Sequence, residues 1–119
     1  MDAASSLLRL CFDQKCSGYI AAHSITNIFY IIRKQFSVSK RKEMLLGLCE
    51  FMEVVGIEKK QVIDALVNEN FDDLEDGLQI ECACAINADY IITRNIEDFS
   101  ASPIPAVLPE DFLQKMVAL

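Results

Sequence analysis

The stretch FDDLEDGLQIECACAINADYIITRNIEDF, residues 71–99, decides how this chain is interpreted. Acidic residues stand before and within the start of its apolar, helix-like run: Asp72, Asp73, Glu75, Asp76 and Glu81. A β-type run follows at residues 89–93, and a polar turn at residues 94–99 ends the stretch. Acids at a helix start and acids just past a strand can converge where open α/β sheets hold their ligands. The stretch therefore predicts an acidic, metal-binding site.

The length and composition of the chain predict one compact domain, residues 1–119. Its 119 residues are 52% hydrophobic, with four Gly and three Pro, which is typical of a globular protein rather than a disordered one. No apolar run approaches the ~18 residues of a membrane span, and the first 15 residues lack the pattern of a signal peptide. We therefore expect no membrane association, and the cytosol is the simplest compartment.

The charge balance limits the classes of partner. The chain has 18 acidic and 11 basic residues, a formal net charge of −7. This argues against a protein that coats duplex nucleic acid through charge alone. It does not exclude a nuclease, because a bound divalent cation neutralises acids and attracts phosphate. The basic runs at residues 33–34, 40–42 and 59–60 are interpreted as solvated faces, with RNA contact as the alternative.

The five cysteines, Cys11, Cys16, Cys49, Cys82 and Cys84, are odd in number and form no CxxC pair. We expect reduced, buried thiols that pack as small apolar residues. Their spacing, together with a single histidine, argues against a zinc site.

Hydrophobic periodicity gives the order of the elements along the chain. Helices are predicted at about residues 2–14, 24–36, 39–52, 58–70, 74–87 and 109–116, with Ser24 and Ser39 as N-caps of the second and third. Short strands are predicted at residues 19–21, 54–57, 89–93 and 106–108. Strands separated by helices favour an α/β fold with a parallel sheet covered on both faces.

Three segments of the chain resemble the PIN-domain family, the metal-dependent ribonuclease fold of many bacterial toxin–antitoxin toxins. FDDLEDGLQ, residues 71–79, is similar to the acid-initiated helix of the family, with Gly77 where Ala is usual. DYIITRNIEDF, residues 89–99, is similar to its strand and loop. PIP, residues 103–105, and LPEDFL, residues 108–113, are similar to its closing strand and helix. The resemblance implies a three-layer α/β sandwich with a mostly parallel central sheet.

The resemblance also implies roles for individual residues. Asp73, Asp76 and Asp98 would be the catalytic acids and would hold Mg²⁺ or Mn²⁺, with Asn95 as a further ligand. Arg94, Asn95 and Asn27 would contact the substrate. The substrate implied is RNA, the implied protein partner is a cognate antitoxin, and a homodimer is expected.

The chain departs from the family in two places. The family begins with a strand that ends in Asp-Thr-Asn or a similar sequence, whereas this chain starts at what would be the first helix. Asn27 stands where the family has an acid. We therefore expect an N-terminally truncated fold with a gap between the strands near Tyr19 and Tyr90. A different sheet closure, a strand borrowed from a second copy or a longer natural product would each fill that gap.

Two functions from different classes stay open. The first is a metal-dependent endoribonuclease, with weak or no activity because its acidic site is incomplete. The second is a non-catalytic PIN-like module that binds RNA or protein. An acid-pocket receiver-like domain is less well supported, because Arg94 does not supply the lysine that such a domain needs. The acids of residues 72–76 can also serve only to charge a helix start, and Asn95 and Asp98 can be ordinary turn residues.

Overall fold

The computed structural model describes residues 2–118 as helices joined by short parallel strands. The helices are α1 (Ala3–Phe12), α2 (Ala22–Ile31), α3 (Val38–Cys49), α4 (Lys59–Val67), α5 (Leu74–Ala85) and α6 (Pro109–Ala118), with a 3₁₀ helix at Ile96–Phe99. The strands are β1 (Gly18–Ala21), β2 (Met52–Val55), β3 (Ile91–Ile92) and β4 (Ala106–Val107). The predicted α/β class is confirmed. Among the described helices, none is long and apolar enough to cross a membrane.

The strands form two parallel pairs. β1 pairs with β2, with Gly18 opposite Met52, and β3 pairs with β4, with Ile91 opposite Ala106. Over residues 2–118 no backbone ladder joins the two pairs. The parallel pairing expected from the sequence is therefore found, distributed over two two-stranded sheets.

Some predicted element ends are wrong. Ser24 lies inside α2, which begins at Ala22 directly after β1. The N-cap of α3 is Ser37 rather than Ser39, and its Oγ accepts a hydrogen bond from the Lys40 N–H at 3.2 Å. The second strand is Met52–Val55 instead of residues 54–57, because the ladder with β1 fixes its register from Met52 onward.

Residues 8–56 form one compact unit with a small core. Cys11 and Ala21 are buried, and the rings of Phe12 and Phe51 meet edge to face with centroids 5.7 Å apart. The Sγ atoms of Cys11 and Cys16 lie 3.5 Å apart as free thiols. Burial, and then the Cys16 thiol, raise the pKa of the Cys11 thiol to about 11.

The expectation of buried thiols holds for only part of the set. Cys11 and Cys82 are buried, and Cys16 and Cys84 are half-buried. Cys49, near the end of α3, is exposed, so the prediction is wrong for that residue.

Residues 1–7 and 57–119 make up the second unit, of which residues 2–7 and 57–118 are described. The buried face of α5 carries Gly77, Ile80, Cys82 and Ala83. A Cβ built on Gly77 would lie 3.4 Å from the Cβ of Ala65, so α4 and α5 pack closely at this point. Helices can approach in this way where the facing residues are small, and the contact fixes the start of α5 in the unit.

Candidate functional site

An open cavity of about 230 Å³ lies in the unit formed by residues 1–7 and 57–119. Five carboxylates line it, from the segment before α5, from the first turn of α5 and from the 3₁₀ helix: Asp72, Asp73, Asp76, Glu97 and Asp98. Asn70, Phe71 and Ser100 complete the lining. The structure thus brings Asp73, Asp76 and Asp98, the three acids predicted from the sequence, to the same cavity.

The start of α5 positions two of these acids. Asp73 is the N-cap, and its Oδ1 accepts a hydrogen bond from the Asp76 N–H at 3.1 Å. Its carbonyl oxygen accepts a second one from the Gly77 N–H at 3.0 Å. Because the buried side chain of Ile80 anchors the next turn, the first turn is held with Asp76 half-buried beside the cavity.

The loop after β3 positions the remaining acids. The Asn95 N–H donates to Thr93 Oγ1 at 2.9 Å, and the Asp98 N–H donates to the Asn95 carbonyl at 3.1 Å. Phe99 is buried and ties the 3₁₀ helix into the unit. Glu97 and Asp98 precede this anchor and stay exposed at the cavity.

The electrostatics of the cavity favour a cation. Burial raises the pKa of the Asp76 carboxyl, and the negative charges of Asp73, Asp98 and Glu75 raise it further. Mutual repulsion of this kind is relieved by a bound cation. An all-oxygen donor set is the type that Mg²⁺ and Mn²⁺ prefer.

Although five acids line the cavity, they are not close enough together to form a metal-binding group. Within residues 2–118, no three His, Cys, Asp or Glu side chains form a group that could hold a metal ion. The residue types therefore fit a hard cation, while three ligands would converge only after the carboxylates move. Such movement opposes binding, so we expect any affinity for a cation to be low.

The other predicted site residues do not line the cavity. Asn95 is the N-cap residue of the 3₁₀ helix, but its side chain makes no capping hydrogen bond. Arg94 donates from Nη1 to Oε1 of Glu110 at 2.5 Å, which lowers the pKa of the Glu110 carboxyl. Asn27 lies in α2, within the other compact unit. The substrate contacts assigned to these three residues stay predictions.

Sequence reasoning assigned no site role to four lining residues, Asn70, Phe71, Glu97 and Ser100. The sequence marks residues 94–99 as a polar turn, but polarity does not distinguish an open turn from a 3₁₀ helix. The apolar Phe99, following Glu97 and Asp98, was the available signal that this segment is anchored. Asn70 lies in a tight turn. Its N–H donates to Asn68 Oδ1 at 2.9 Å, and Asn side chains favour such a bond to the backbone two residues further on.

Asp73 combines two roles that substitution can separate. Asp73→Ala removes the N-cap, and we expect it to lower the free energy of unfolding by about 1 kcal/mol. Asp73→Ser keeps a capping oxygen but removes the carboxylate, so it should unfold like the wild type in EDTA. If Asp73 is also a ligand, Asp73→Ser will show less stabilisation by Mn²⁺ than the wild type. Urea denaturation with EDTA or Mn²⁺ measures both effects, and an unchanged Mn²⁺ response in Asp73→Ser would leave Asp73 as a cap alone.

Comparison with known proteins gives one match. The family model described as PIN domain matches residues 1–97 of the 119. The match includes α5, the cavity acids Asp73 and Asp76, and the beginning of the 3₁₀ helix. No curated protein and no solved structure matches this chain.

Proposed function

This chain belongs to the PIN-domain family, and we propose that it is a metal-dependent endoribonuclease whose metal is weakly held. PIN domains are generally nuclease-like and generally use divalent metals. The observation that supports the proposal is the cavity lined by five carboxylates, in which burial and then neighbouring negative charges raise the pKa of Asp76.

The chemistry follows from the donor set. Asp73, Asp76 and Asp98 would hold Mg²⁺ or Mn²⁺, and the cation would polarise a phosphate oxygen and lower the pKa of a bound water. Asp72 and Glu97 leave further negative charge at the cavity, which repels an RNA backbone until a cation is bound. Cleavage is therefore expected to require the divalent cation absolutely.

A role as the toxin of a toxin–antitoxin pair belongs to the same proposal. It is supported by the resemblance of residues 93–99 to the family loop, and it implies an antitoxin as the protein partner. The homodimer expected from the sequence also stays a prediction.

A non-catalytic module is the second candidate function. It is favoured by the absence, within residues 2–118, of any three acids grouped to hold a metal. Asn27 has an amide where a family member would offer a carboxylate. A protein of this class would bind RNA or protein without cleaving it.

Cleavage of a labelled single-stranded RNA in Mn²⁺, Mg²⁺ or EDTA tests the proposal. We expect slow cleavage in Mn²⁺ or Mg²⁺ and none in EDTA. Asp98→Asn should lower the rate at least about 10-fold, because loss of an outer-shell partner alone typically costs about 10- to 100-fold and loss of a ligand should cost no less.

Asp111→Asn is the matched control. Asp98 and Asp111 are both exposed acids in the first turn of a helix, but Asp111 does not line the cavity. Its rate should equal that of the wild type. Cleavage that persists in EDTA, or that is equal in Asp98→Asn and the wild type, would contradict the proposal. RNA binding without cleavage would favour the second candidate.

A further inference from the structure

Positive charge is concentrated in one part of this acidic chain. Residues 14–42 contain no Asp or Glu and six of the 11 basic residues. Five of those six fall between Arg33 and Lys42, which span the turn from the end of α2 into α3. We call residues 30–42 the α2–α3 corner. A local positive surface on a chain of net charge −7 indicates an anionic ligand at that surface.

The position of the charges in α3 strengthens this inference. Lys40, Arg41 and Lys42 lie near the N-terminus of the helix, and its first turn contains no acid. The helix dipole favours acids there and disfavours bases. Helix formation therefore does not account for three consecutive bases at this end of α3.

Arg41 gives the corner a fixed shape. Its Nη1 donates to the Phe29 carbonyl at 2.8 Å and its Nε to the Phe36 carbonyl at 3.2 Å. Its guanidinium carbon also lies 4.3 Å from the centre of the Phe29 ring. Because one side chain ties α2, the turn and α3 together, the neighbouring bases are presented from an ordered surface.

The lysines of the corner differ from Arg41. Lys34 and Lys42 are exposed, and neither forms an ion pair with an acid in the described part of the chain. Lys40 lies 3.6 Å from Glu43, an exposed pair that contributes little. Lys34 and Lys42 are thus the cations that can meet an anionic ligand without breaking an existing ion pair.

A flat aromatic surface accompanies the charge. Tyr30 is 61% exposed, and the guanidinium carbon of Arg33 lies 3.7 Å from the centre of its ring. Exposed rings and arginine planes are the groups on which unpaired nucleobases stack. An acidic peptide or an anionic lipid headgroup would use the cations but gain little from such a stack.

We propose that the α2–α3 corner binds single-stranded RNA, with a base stacked on Tyr30 and Arg33 and backbone phosphates at Lys34 and Lys42. The choice of RNA as the anionic polymer rests on the proposed function. A single strand fits better than a duplex, because its bases are free to stack and because the net charge of the chain opposes extensive contact with a duplex.

The first test measures the charge contribution. Fluorescence anisotropy follows a 12-nucleotide, end-labelled RNA of mixed sequence in EDTA, so that neither metal binding nor cleavage contributes. The double variant Lys34→Ala/Lys42→Ala should bind on the order of 20-fold more weakly at about 0.1 M salt. Its slope of log affinity against log salt should be shallower by about 1.4, because two phosphate contacts are lost.

Lys59→Ala/Lys60→Ala is the matched control. It removes the same charge from an exposed basic pair at the start of α4, outside the corner. Its affinity should stay within about 2-fold of the wild type if these lysines contact no phosphate, since salt screens exposed charges that make no direct contact. An equal loss in both double variants would show that net charge alone governs binding and would overturn the proposal.

The second test measures stacking. Tyr30→Ala should weaken RNA binding about 5- to 150-fold, the range for loss of one stacked base, whereas Tyr30→Phe should bind like the wild type. Because Tyr30 is largely exposed, both variants are expected to fold, and thermal melting checks this. Equal affinities of Tyr30→Ala and Tyr30→Phe would contradict stacking at this residue.

Competition identifies the class of ligand. RNA, poly-L-glutamate and vesicles of phosphatidylcholine with 30% phosphatidylserine are compared as competitors for the labelled RNA. Displacement by unlabelled RNA at the lowest concentration supports the proposal, and equal or better displacement by polyglutamate or vesicles would overturn it. RNA binding in EDTA without cleavage in Mn²⁺ would contradict the proposed nuclease activity but not RNA binding at the α2–α3 corner. Cleavage together with unchanged RNA binding by Lys34→Ala/Lys42→Ala would contradict RNA binding at the corner but not the nuclease activity.

Discussion

Asp76→Asn is expected to reduce Mn²⁺-dependent RNA cleavage at least about 100-fold, the upper end of what loss of a single outer-shell partner costs at a metal site. Asp76 is half-buried at the cavity, beside Asp73 and Asp98, and burial and then these neighbouring charges raise the pKa of the carboxyl that the substitution removes. The same change should abolish most of the increase in melting temperature that Mn²⁺ produces, because ligand-induced stabilisation depends on affinity.

The metal-free protein should respond in the opposite direction. The pKa of Asp76 is raised, so folding favours its protonated form and its ionisation opposes folding near pH 7. Asparagine removes that opposition, and Asp76→Asn should therefore melt at a higher temperature than the wild type in EDTA at pH 7. The gain should shrink as the pH falls through the raised pKa and vanish below the ordinary pKa of an aspartyl carboxyl, because the wild-type side chain is then neutral in both the folded and the unfolded state.

Melting curves in EDTA between pH 3 and pH 7 measure this dependence, with Asp111→Asn as the variant that removes an acid elsewhere. A lower melting temperature for Asp76→Asn at pH 7 would mean that the carboxylate stabilises the start of α5. The acids would then be explained by the helix dipole alone.

Gly18→Ala is expected to lower the free energy of unfolding by about 1–3 kcal/mol through overpacking. A Cβ at this position would lie 2.8 Å from Cys11 Sγ and 3.2 Å from Met52 Cε. Cys11 is buried and already 3.5 Å from the Cys16 sulfur, so it has little space to withdraw. Met52, whose side chain would be displaced, is the residue opposite Gly18 in the β1–β2 ladder.

Gly47→Ala is the internal comparison for Gly18→Ala. Gly47 lies within α3, and a Cβ there would meet no atom within 4 Å. Alanine should therefore stabilise the protein by about 0.5–1 kcal/mol through helix propensity. Urea denaturation compares both variants, and the double variant Cys11→Ala/Gly18→Ala should recover part of the loss if the Cys11 contact is its cause. A neutral Gly18→Ala would show that the sulfur moves at no cost.

The sequence was informative where a pattern is local. The spacing of Ile25, Ile28, Phe29 and Ile32 predicted α2 although Ile and Phe are poor helix formers, and these four side chains are half-buried rather than fully buried. The acids around the start of α5 were recognised for the same reason, because a helix N-terminus has its own local signal. Asp98 was recognised through the family resemblance of its loop.

The sequence was uninformative where structure depends on distant partners. Residues 54–57 look like a strand in isolation, but the ladder with β1 begins at Met52, and Gly56 lies beyond it. Periodicity identified short apolar runs without specifying which run pairs with which. The tertiary pairing therefore moved the strand boundary, and the cavity gained Glu97 from a 3₁₀ helix that polarity could not predict.

The two strand pairs also differ in how far along the chain their partners lie, which bears on the order of folding. Gly18 and Met52 are 34 positions apart, whereas Ile91 and Ala106 are 15 apart. Closing the longer loop costs about 0.7 kcal/mol more chain entropy, by the logarithmic dependence of closure on loop length. Since rates of formation follow such closure costs, β3 and β4 are expected to pair first. The loop that carries Asp98 would then be in place before the β1–β2 ladder forms.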